Sequence, residues 1–210
     1  MSTIFPLQLR ISKILKRFSR QLEYSKDGIR FYKPRKIHRP INLADVQPSA
    51  WRGLESIISD IIQQSNISPK RCLEFGVEFG YSTSAFANYF DEVIGVDLFT
   101  GDPHAGFKGD VYQLAKQNLA SFPNVRLVQQ GYADYILGNE ETFDLIHVDI
   151  IHSFEDTYAC GIWSARHSAC TLFHDTDSYP DVRRAVLRIA KETGKQFYNY
   201  PHCNGLGILF

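Results

Sequence analysis

At 210 residues the chain is long enough for one domain of ordinary size with an appendage. Hydrophobic residues make up 44% of it and aromatic residues 13%, a composition that is typical of a globular protein and excludes a disordered chain. No apolar run reaches the length of a membrane span. The four cysteines show neither a C-x-x-C pair nor tight zinc spacing, so we expect small core residues of a cytoplasmic protein.

The net charge is zero, but the two parts of the chain carry opposite charges. Residues 1–39 hold eleven lysines and arginines against two acidic residues (11 − 2 = +9), and the remainder holds twelve against twenty-one (12 − 21 = −9). On a helical wheel the apolar residues of 7–22 gather on one face and the basic residues fall opposite. Such a helix predicts peripheral membrane contact, binding to an anionic polymer, a targeting segment, or packing on the domain or on a second subunit of a homo-oligomer.

We therefore divide the chain into a basic arm over residues 1–48 and a larger domain over residues 49–210. Within the arm, Asp27-Gly28 is typical of a tight turn and predicts a small hairpin between residues 21–24 and 29–32. A helix is then expected to begin near Ser49 and to carry an apolar stripe that covers one face of a sheet.

Beyond residue 70, short apolar runs alternate with amphipathic segments, which is the pattern of a doubly wound parallel sheet with helices between its strands. Besides the strands discussed below, we predict strands over 93–96, 125–129, 170–173, 197–200 and 207–210. Helices are predicted over 83–89, 111–119, 158–166 and 181–191.

The first strand of this sheet runs into a tight turn with the pattern Glu74-x-Gly76-x-x-x-Gly80, followed by Tyr81 and Ser82. Glycine permits positive φ and leaves no Cβ between the backbone and a ligand. The helix that follows has free N–H groups at its start, which attract a carboxylate or another anion. The turn therefore predicts a binding site for a nucleotide-like ligand.

A second acidic residue, Asp97, ends the next strand 23 positions beyond Glu74 (97 − 74 = 23). An acid at this place in a doubly wound sheet can accept hydrogen bonds from both hydroxyls of a ribose. The dinucleotide pattern Gly-x-Gly-x-x-Gly is absent, which argues against a nicotinamide-dependent dehydrogenase.

Two further strands end in groups of titratable residues. Asp149 is followed by His152, and a later strand ends in His174-Asp175. Because the carboxyl ends of parallel strands share one edge, we expect these four side chains to form a catalytic cluster. In one interpretation His152 or His174 is a general base oriented by a carboxylate. In the other, Asp149 and Asp175, with or without His174, hold a divalent metal such as Mg²⁺.

With these pieces the sequence resembles the class I S-adenosylmethionine-dependent methyltransferases, in particular a small branch similar to the methyltransferase 24 type family. The residues that carry the resemblance read Asp149-Ile150-Ile151-His152-Ser153-Phe154-Glu155 and Leu172-Phe173-His174-Asp175-Thr176. It covers roughly residues 50–210 and implies a Rossmann-like, seven-stranded, mostly parallel sheet with an antiparallel last strand. Relatives commonly have a Gly-Gly turn before the fifth strand, where this chain has Ser168-Ala169.

The resemblance also implies S-adenosyl-L-methionine as cofactor and O-methylation of a small-molecule or glycan hydroxyl. With this cofactor, Glu74 lies where its carboxylate can meet the methionine ammonium through the turn or through water, and Asp97 would take the ribose hydroxyls. The resemblance implies Tyr132, Ala133 and Asp134 beside the adenine. The further cofactor contacts are Gly76, Gly80, Tyr81, Ser82, Leu98 and Asp149. Related metal-dependent O-methyltransferases use carboxylates at two strand ends, where this chain has Asp149 and His174-Asp175.

Two alternatives stay open at this point. One is a non-catalytic Rossmann-like binding or structural module that docks through its basic arm, and the other is a different α/β enzyme such as a nicotinamide-dependent reductase. Nucleic acid is not favoured as a partner, because the chain lacks both the Asp/Asn-Pro-Pro-Tyr/Phe motif and a Pro-Cys loop.

Overall fold

The computed structural model describes residues 22–46, 49–101 and 109–210. Their strands are β1 (Arg30–Phe31), β2 (Arg71–Phe75), β3 (Glu92–Asp97), β4 (Val125–Gln129), β5 (Phe143–Val148), β6 (Ser168–His174), β7 (Phe197–Tyr200) and β8 (Leu206–Leu209). A 3₁₀ turn (Leu54–Ile57) precedes α1 (Ile58–Gln64), and the later helices are α2 (Tyr81–Ala87), α3 (Tyr112–Asn118), α4 (Tyr132–Ile136), α5 (Phe154–His167) and α6 (Pro180–Thr193).

The described strands form one sheet of eight, in the order β1-β7-β8-β6-β5-β2-β3-β4. Neighbouring strands are parallel except where β8 runs antiparallel to both β6 and β7. The predicted Rossmann-like sheet with an antiparallel last strand is thus confirmed. The two residues of β1 lie within the strand predicted over 29–32, but they form an edge strand beside β7, a pairing that the sequence did not predict.

The central strands are apolar on both faces because helices cover both sides of the sheet. Successive residues of β2 alternate between the two core clusters. Cys72 packs with the cluster that contains Ile58, Ile61 and Phe86, and Leu73 packs with the cluster that contains Val186. Helices α1 and α2 therefore pack on one face of the sheet, and α6 packs on the other.

Two local predictions are wrong. Residues 22–27 are helical rather than the first strand of a hairpin, and Arg30–Phe31 pairs with Tyr198 and Asn199 of β7. The reason is tertiary, since Tyr24 is fully buried and its hydroxyl donates to Asp177. The helix expected from Ser49 begins later, because Gly53 has a left-handed φ of 107° immediately before the 3₁₀ turn.

The described part of the arm packs closely on the sheet. Its buried apolar residues are Tyr24, Ile29, Tyr32, Ala44 and Val46. The Asp60 carboxylate of α1 accepts hydrogen bonds from the backbone N–H groups of Arg35 (3.0 Å) and Lys36 (2.9 Å), which attaches this basic part of the arm to α1. Residues 7–21 lie outside the described residues, so membrane contact, polymer binding and a homo-oligomer through the arm stay predictions, as does the domain boundary at residue 48.

Over residues 22–46, 49–101 and 109–210, no helix combines the length and the apolar character that crossing a bilayer requires.

Candidate active site

A cavity of about 580 Å³ opens at the carboxyl edge of the sheet, beyond the ends of β2, β3, β5 and β6. Its volume lies within the roughly 300–1,000 Å³ that is usual for small-molecule sites. Parallel strands bring their last residues to this edge, so four separate segments of sequence meet in one wall.

The β2–α2 turn needs its glycines for the fold itself. Gly76 has a φ of 89°, and a Cβ there would lie 1.7 Å from the carbonyl oxygen of Asp149. This close approach lets the Asp149 N–H donate to the carbonyl of Phe75 at 2.8 Å. Gly80 has a φ of 92°, and its Cβ would lie 2.7 Å from the side chain of Leu119. The small residues therefore serve packing inside the protein, and Gly76 also lines the cavity.

Tyr81 and Ser82 begin α2 and line the cavity. Tyr81 is only 4% exposed, and its hydroxyl has no hydrogen-bond partner among the described residues. A buried polar group without a partner costs free energy. The Tyr81 hydroxyl is therefore a group that a bound ligand would satisfy.

Asp97 ties the end of β3 to the β2–α2 turn. Its Oδ2 accepts the backbone N–H groups of Val77 (2.8 Å) and Glu78 (2.9 Å), and its Oδ1 accepts that of Phe99 (2.7 Å). A carboxylate offers about four acceptor positions, so one remains for a ligand hydroxyl at the cavity wall. The geometry is compatible with the predicted ribose contact, and that contact stays a prediction.

The carboxylate of Glu74 does not line the cavity. It is fully buried, accepts a hydrogen bond from the Thr83 hydroxyl, and lies 2.9 Å from Nδ1 of His147. The Trp51 indole N–H donates to Nε2 of the same imidazole at 3.2 Å. An indole can only donate, so His147 must be the neutral tautomer with its proton on Nδ1. Glu74 supports the turn from inside the core, and its contact with the methionine ammonium, through the turn or through water, stays a prediction.

Leu98 and the three residues predicted beside the adenine fall into two groups. Leu98, Tyr132 and Ala133 line the cavity, together with Gly131. Leu98 is 56% exposed, which is unusual for a leucine and leaves its side chain free to pack on a flat ring. Asp134 is exposed beside Gly131 and is not part of the cavity wall.

Asp156 is a cavity residue that the sequence did not reveal. It accepts from the Tyr132 hydroxyl at 2.7 Å and from the Ser153 hydroxyl at 2.5 Å. Burial, together with the nearby Asp156 carboxylate, raises the pKa of Tyr132. The spacing Ser153-x-x-Asp156, a capping arrangement at the start of α5, was the signal that could have identified it.

The structure brings the four predicted catalytic residues together. Nδ1 of His174 lies 3.0 Å from Oδ2 of Asp149 and 3.5 Å from Oδ2 of Asp175. Nε2 of His152 lies 2.8 Å from Oδ2 of Asp175 and 3.8 Å from Oδ1 of Asp149. The His152 ring stacks on Tyr179, with ring centres 4.0 Å apart. We call these four residues the Asp149–Asp175 cluster.

The two carboxylates and two imidazoles stabilise each other's charges. Burial alone would lower the pKa of His152 and of His174, but the facing carboxylates outweigh it and raise each pKa to about 9. Burial alone would raise the pKa of Asp149, but His174 and His152 hold it below its usual value. Near neutral pH both imidazoles of the cluster are therefore protonated and face carboxylates.

The cluster also has the donors of a metal site. Asp149, His152 and Asp175 each offer one ligand atom, and these atoms lie within 4.8 Å of one another. Oδ1 of Asp175 is buried and has no partner among the described residues. The mixed oxygen and nitrogen donors fit a divalent cation. His174 differs from our expectation, because its Nε2 donates to the carbonyl of Cys203 at 3.0 Å while Nδ1 faces Asp149.

Solved structures of known proteins have a fold similar to that of this protein. The fold is similar to an O-methyltransferase from Bacillus cereus in complex with SAH (17% identity, TM-score 0.55, 81% of this chain and 83% of that chain). It is also similar to a Staphylococcus aureus protein described as a "putative caffeoyl-CoA O-methyltransferase" (18%, TM-score 0.61, 77% and 84%). A third similar structure is Aeropyrum pernix fibrillarin with natively bound S-adenosyl-L-methionine (12%, TM-score 0.55, 83% and 87%).

The fold is thus that of the class I S-adenosylmethionine-dependent methyltransferases. Residues 73–176 match the family model described as a methyltransferase domain. Among curated proteins, the chain is 29% identical over 161 residues to the uncharacterized protein y4gI of Sinorhizobium fredii. That match covers 69% of this chain and only 17% of the relative's length.

Proposed function

We propose that the protein transfers a methyl group from S-adenosylmethionine to a hydroxyl of a small molecule or a sugar. One observation carries the proposal: a single cavity joins Asp97 and the β2–α2 turn to the Asp149–Asp175 cluster. Methyl transfer to a hydroxyl needs the acceptor held in line and its proton removed. The turn and the cluster supply these two requirements at neighbouring strand ends.

The residues of the cavity fit this cofactor. Asp97 has an acceptor position for ribose hydroxyls, and Leu98, Tyr132 and Ala133 form an apolar wall for the base. Ser82 lines the cavity at the start of α2, where the amino-acid end of the cofactor would lie. When bound, the cofactor supplies a methyl group activated by a positively charged sulfur. Asp134 has no part in this assignment.

Two arrangements of the Asp149–Asp175 cluster would handle the acceptor proton. In the first, His152 accepts it, and Asp149 and Asp175 orient the imidazole and stabilise its charge. In the second, Asp149, His152 and Asp175 hold a divalent cation, which would lower the pKa of the acceptor hydroxyl. Since a pKa of about 9 keeps His152 protonated at neutral pH, the first arrangement predicts activity that rises with pH up to about 9.

Calorimetry with S-adenosylhomocysteine tests the proposal, using wild type, Asp97→Asn and Asp110→Asn. The amide oxygen that Asp97→Asn introduces can still accept backbone N–H groups, whereas the second carboxylate oxygen is lost. We expect wild type and Asp110→Asn to bind, and Asp97→Asn to bind about tenfold more weakly, the loss of one hydrogen bond to a charged group. Asp110 is the matched control because its carboxylate also accepts a backbone N–H, from Tyr112, but lies outside the cavity wall.

Absence of binding by wild type would contradict the proposal and favour a non-catalytic binding module. Equal affinity of Asp97→Asn and wild type would remove the ribose assignment alone. Magnesium added to the same titrations, and to methyl-transfer assays with and without EDTA, would separate the metal arrangement from the His152 arrangement.

A further inference from the structure

Arg52 and Tyr81 form a pair of buried polar groups that the proposed chemistry does not use. The Arg52 guanidinium carbon lies 4.8 Å from the centre of the Tyr81 ring. Both Nε of Arg52 and the hydroxyl of Tyr81 are buried, and neither has a hydrogen-bond partner in the described ranges 22–46, 49–101 and 109–210. Two adjacent donors without acceptors point to a ligand that brings an acceptor.

The positive charge of Arg52 indicates that the ligand with this acceptor is an anion. No ion pair joins its guanidinium to a carboxylate of the described chain, although its terminal nitrogen donates to the carbonyl of Val46. The neighbouring Glu55 is occupied by Arg39 (3.3 Å) and by the N–H of Gly53 (2.5 Å). A partly buried guanidinium without a counter-charge is costly, and an anion beside it would offset that cost.

Cys203 shows that this pair lies close to the Asp149–Asp175 cluster. Its carbonyl accepts from His174 Nε2 at 3.0 Å, and its Sγ donates to the carbonyl of Arg52 at 3.2 Å. Tyr81 and His174 line the same cavity, and so do Ala50 and Trp51, the two residues before Arg52. Arg52 is not part of the cavity wall, but its guanidinium lies against the ring of Tyr81, which is. A small molecule in the cavity can therefore contact Tyr81 and the cluster at once, with the Arg52 guanidinium next to Tyr81.

We propose that the methyl acceptor carries a carboxylate or a comparable anionic group, bound by the Arg52 guanidinium and the Tyr81 hydroxyl, while its hydroxyl faces the Asp149–Asp175 cluster. This inference rests on the proposed function and names the class of acceptor: a hydroxylated acid rather than a neutral alcohol. The cofactor's own methionine carboxylate has the same chemistry, so the test must separate the two sources.

The test uses the full chain saturated with S-adenosylhomocysteine, with benzoate as the anionic probe and benzyl alcohol as its neutral counterpart. Binding is measured by calorimetry at pH 7.5 for wild type, Arg52→Gln, Arg52→Lys, Tyr81→Phe and Arg39→Gln. Arg39 is the matched control because it is an exposed arginine of the same segment that already pairs with Glu55. Thermal melting of each variant checks that the fold is retained.

We expect wild type and Arg39→Gln to bind benzoate at least about tenfold more tightly than benzyl alcohol, as charge-assisted hydrogen bonds require. Arg52→Gln should lose this preference, and Arg52→Lys and Tyr81→Phe should retain part of it. No preference in wild type, or the same preference in Arg52→Gln, would overturn the proposal.

A second comparison separates the acceptor from the cofactor. 5′-Methylthioadenosine lacks the amino-acid end of S-adenosylhomocysteine, so the affinities of the two compounds report on the methionine carboxylate. We expect Arg52→Gln to leave both affinities unchanged. Weaker binding of S-adenosylhomocysteine alone would assign Arg52 to the cofactor and overturn the acceptor proposal. Failure of wild type to bind S-adenosylhomocysteine is a different result, which would overturn the proposed function itself.

Discussion

Glu74 and Asp97 both place a carboxylate near the end of a strand, but the two carboxylates have different surroundings. Asp97 also follows an apolar run, but it holds the backbone of the turn and keeps an acceptor position at the cavity. Glu74 points into the core, where Thr83 and the neutral His147 satisfy its two oxygens. The two carboxylates therefore differ in what their removal should affect: stability for Glu74, and ligand affinity as well for Asp97.

Glu74→Gln should lower the free energy of unfolding by about 1–3 kcal/mol, because a charged acceptor of two buried hydrogen bonds is replaced by a neutral amide. The affinity for S-adenosylhomocysteine should change less than about threefold, since the side chain lies outside the cavity wall. Urea unfolding and calorimetry measure the two quantities. Glu141→Gln, at an exposed carboxylate, is the control, and a large loss of affinity without loss of stability would show that Glu74 acts on the ligand rather than on the fold.

The cluster imidazoles make stability depend on pH. In the folded protein the pKa values of His152 and His174 rise to about 9, above the roughly 6.5 of an unfolded chain. The folded state therefore binds their protons more tightly, and the stabilisation is complete below about pH 6.5 and is lost as the pH rises through about 9. With EDTA present, we expect wild type to lose on the order of 2 kcal/mol or more of stability between pH 6.5 and 9.5.

His152→Gln should lose less over this range, because it lacks one of the two titrating groups. His38→Gln, at an exposed histidine outside the cluster, should behave like wild type. Urea unfolding at several pH values would show the difference, and identical pH slopes for wild type and His152→Gln would count against the charge arrangement described for the cluster.

At the scale of elements, the β2–α2 turn is the part on which the site is built. It brings β2 within hydrogen-bonding distance of β3 and β5, since Gly76 donates to Val96 (3.0 Å) while Asp149 donates to Phe75 (2.8 Å). The turn can pass between these strands only where no side chain intervenes. Its geometry therefore couples the Asp97 end of the cavity to the Asp149 end.

Gly76→Ala should prevent folding or lower stability by more than about 3 kcal/mol, because the new Cβ would lie 1.7 Å from the Asp149 carbonyl at a φ of 89°. Gly138→Ala is the matched control, with a φ of 68° but no atom within 4 Å of its Cβ, and should cost only about 1 kcal/mol. Soluble yield and thermal unfolding of both variants test this. Equal effects would mean that backbone conformation alone, and not the close approach of two strands, requires the glycine.

At the scale of the whole molecule, the arm is connected to the opposite end of the chain. The Tyr24 hydroxyl donates to Asp177 and accepts from Asn199, whose amide oxygen accepts from the Thr176 hydroxyl at 2.6 Å. These contacts link the helical residues 22–27 to the loop that follows β6 and to β7. They explain why the described arm is part of the core and why β1 forms at the sheet edge.

Tyr24→Phe should lower the free energy of unfolding by about 1–3 kcal/mol, because buried polar groups of Asp177 and Asn199 lose a partner. Tyr158→Phe removes a hydroxyl bonded to Glu192 at the surface and should change stability by less than about 0.5 kcal/mol. Urea unfolding of the full chain compares them. A neutral effect of Tyr24→Phe would show that the apolar contacts of the arm, rather than this network, hold it to the sheet.

Much of the fold and part of the site follow from local sequence patterns. The alternation of apolar runs and amphipathic segments predicted the strands from β2 onward, because helical and strand periodicities are properties of neighbouring residues. The acids at strand ends predicted the Asp149–Asp175 cluster, because parallel strands always bring their carboxyl ends to one edge. The hairpin at residues 21–32 was wrong for the complementary reason: the turn signal of Asp27-Gly28 was outweighed by the distant partners of Tyr24.

The sequence by itself therefore determined the class of fold, the edge of the sheet at which chemistry is possible, and the residue types collected there. Only the tertiary structure decided that Glu74 faces the core, that His174 faces Cys203, that Asp156 joins the cavity, and that Arg52 lies on the Tyr81 ring. The physical reason is that side-chain direction and burial depend on which distant segments pack together. Contacts over 73 residues, as between Glu74 and His147, or 151 residues, as between Arg52 and Cys203, leave no periodic signal in the sequence.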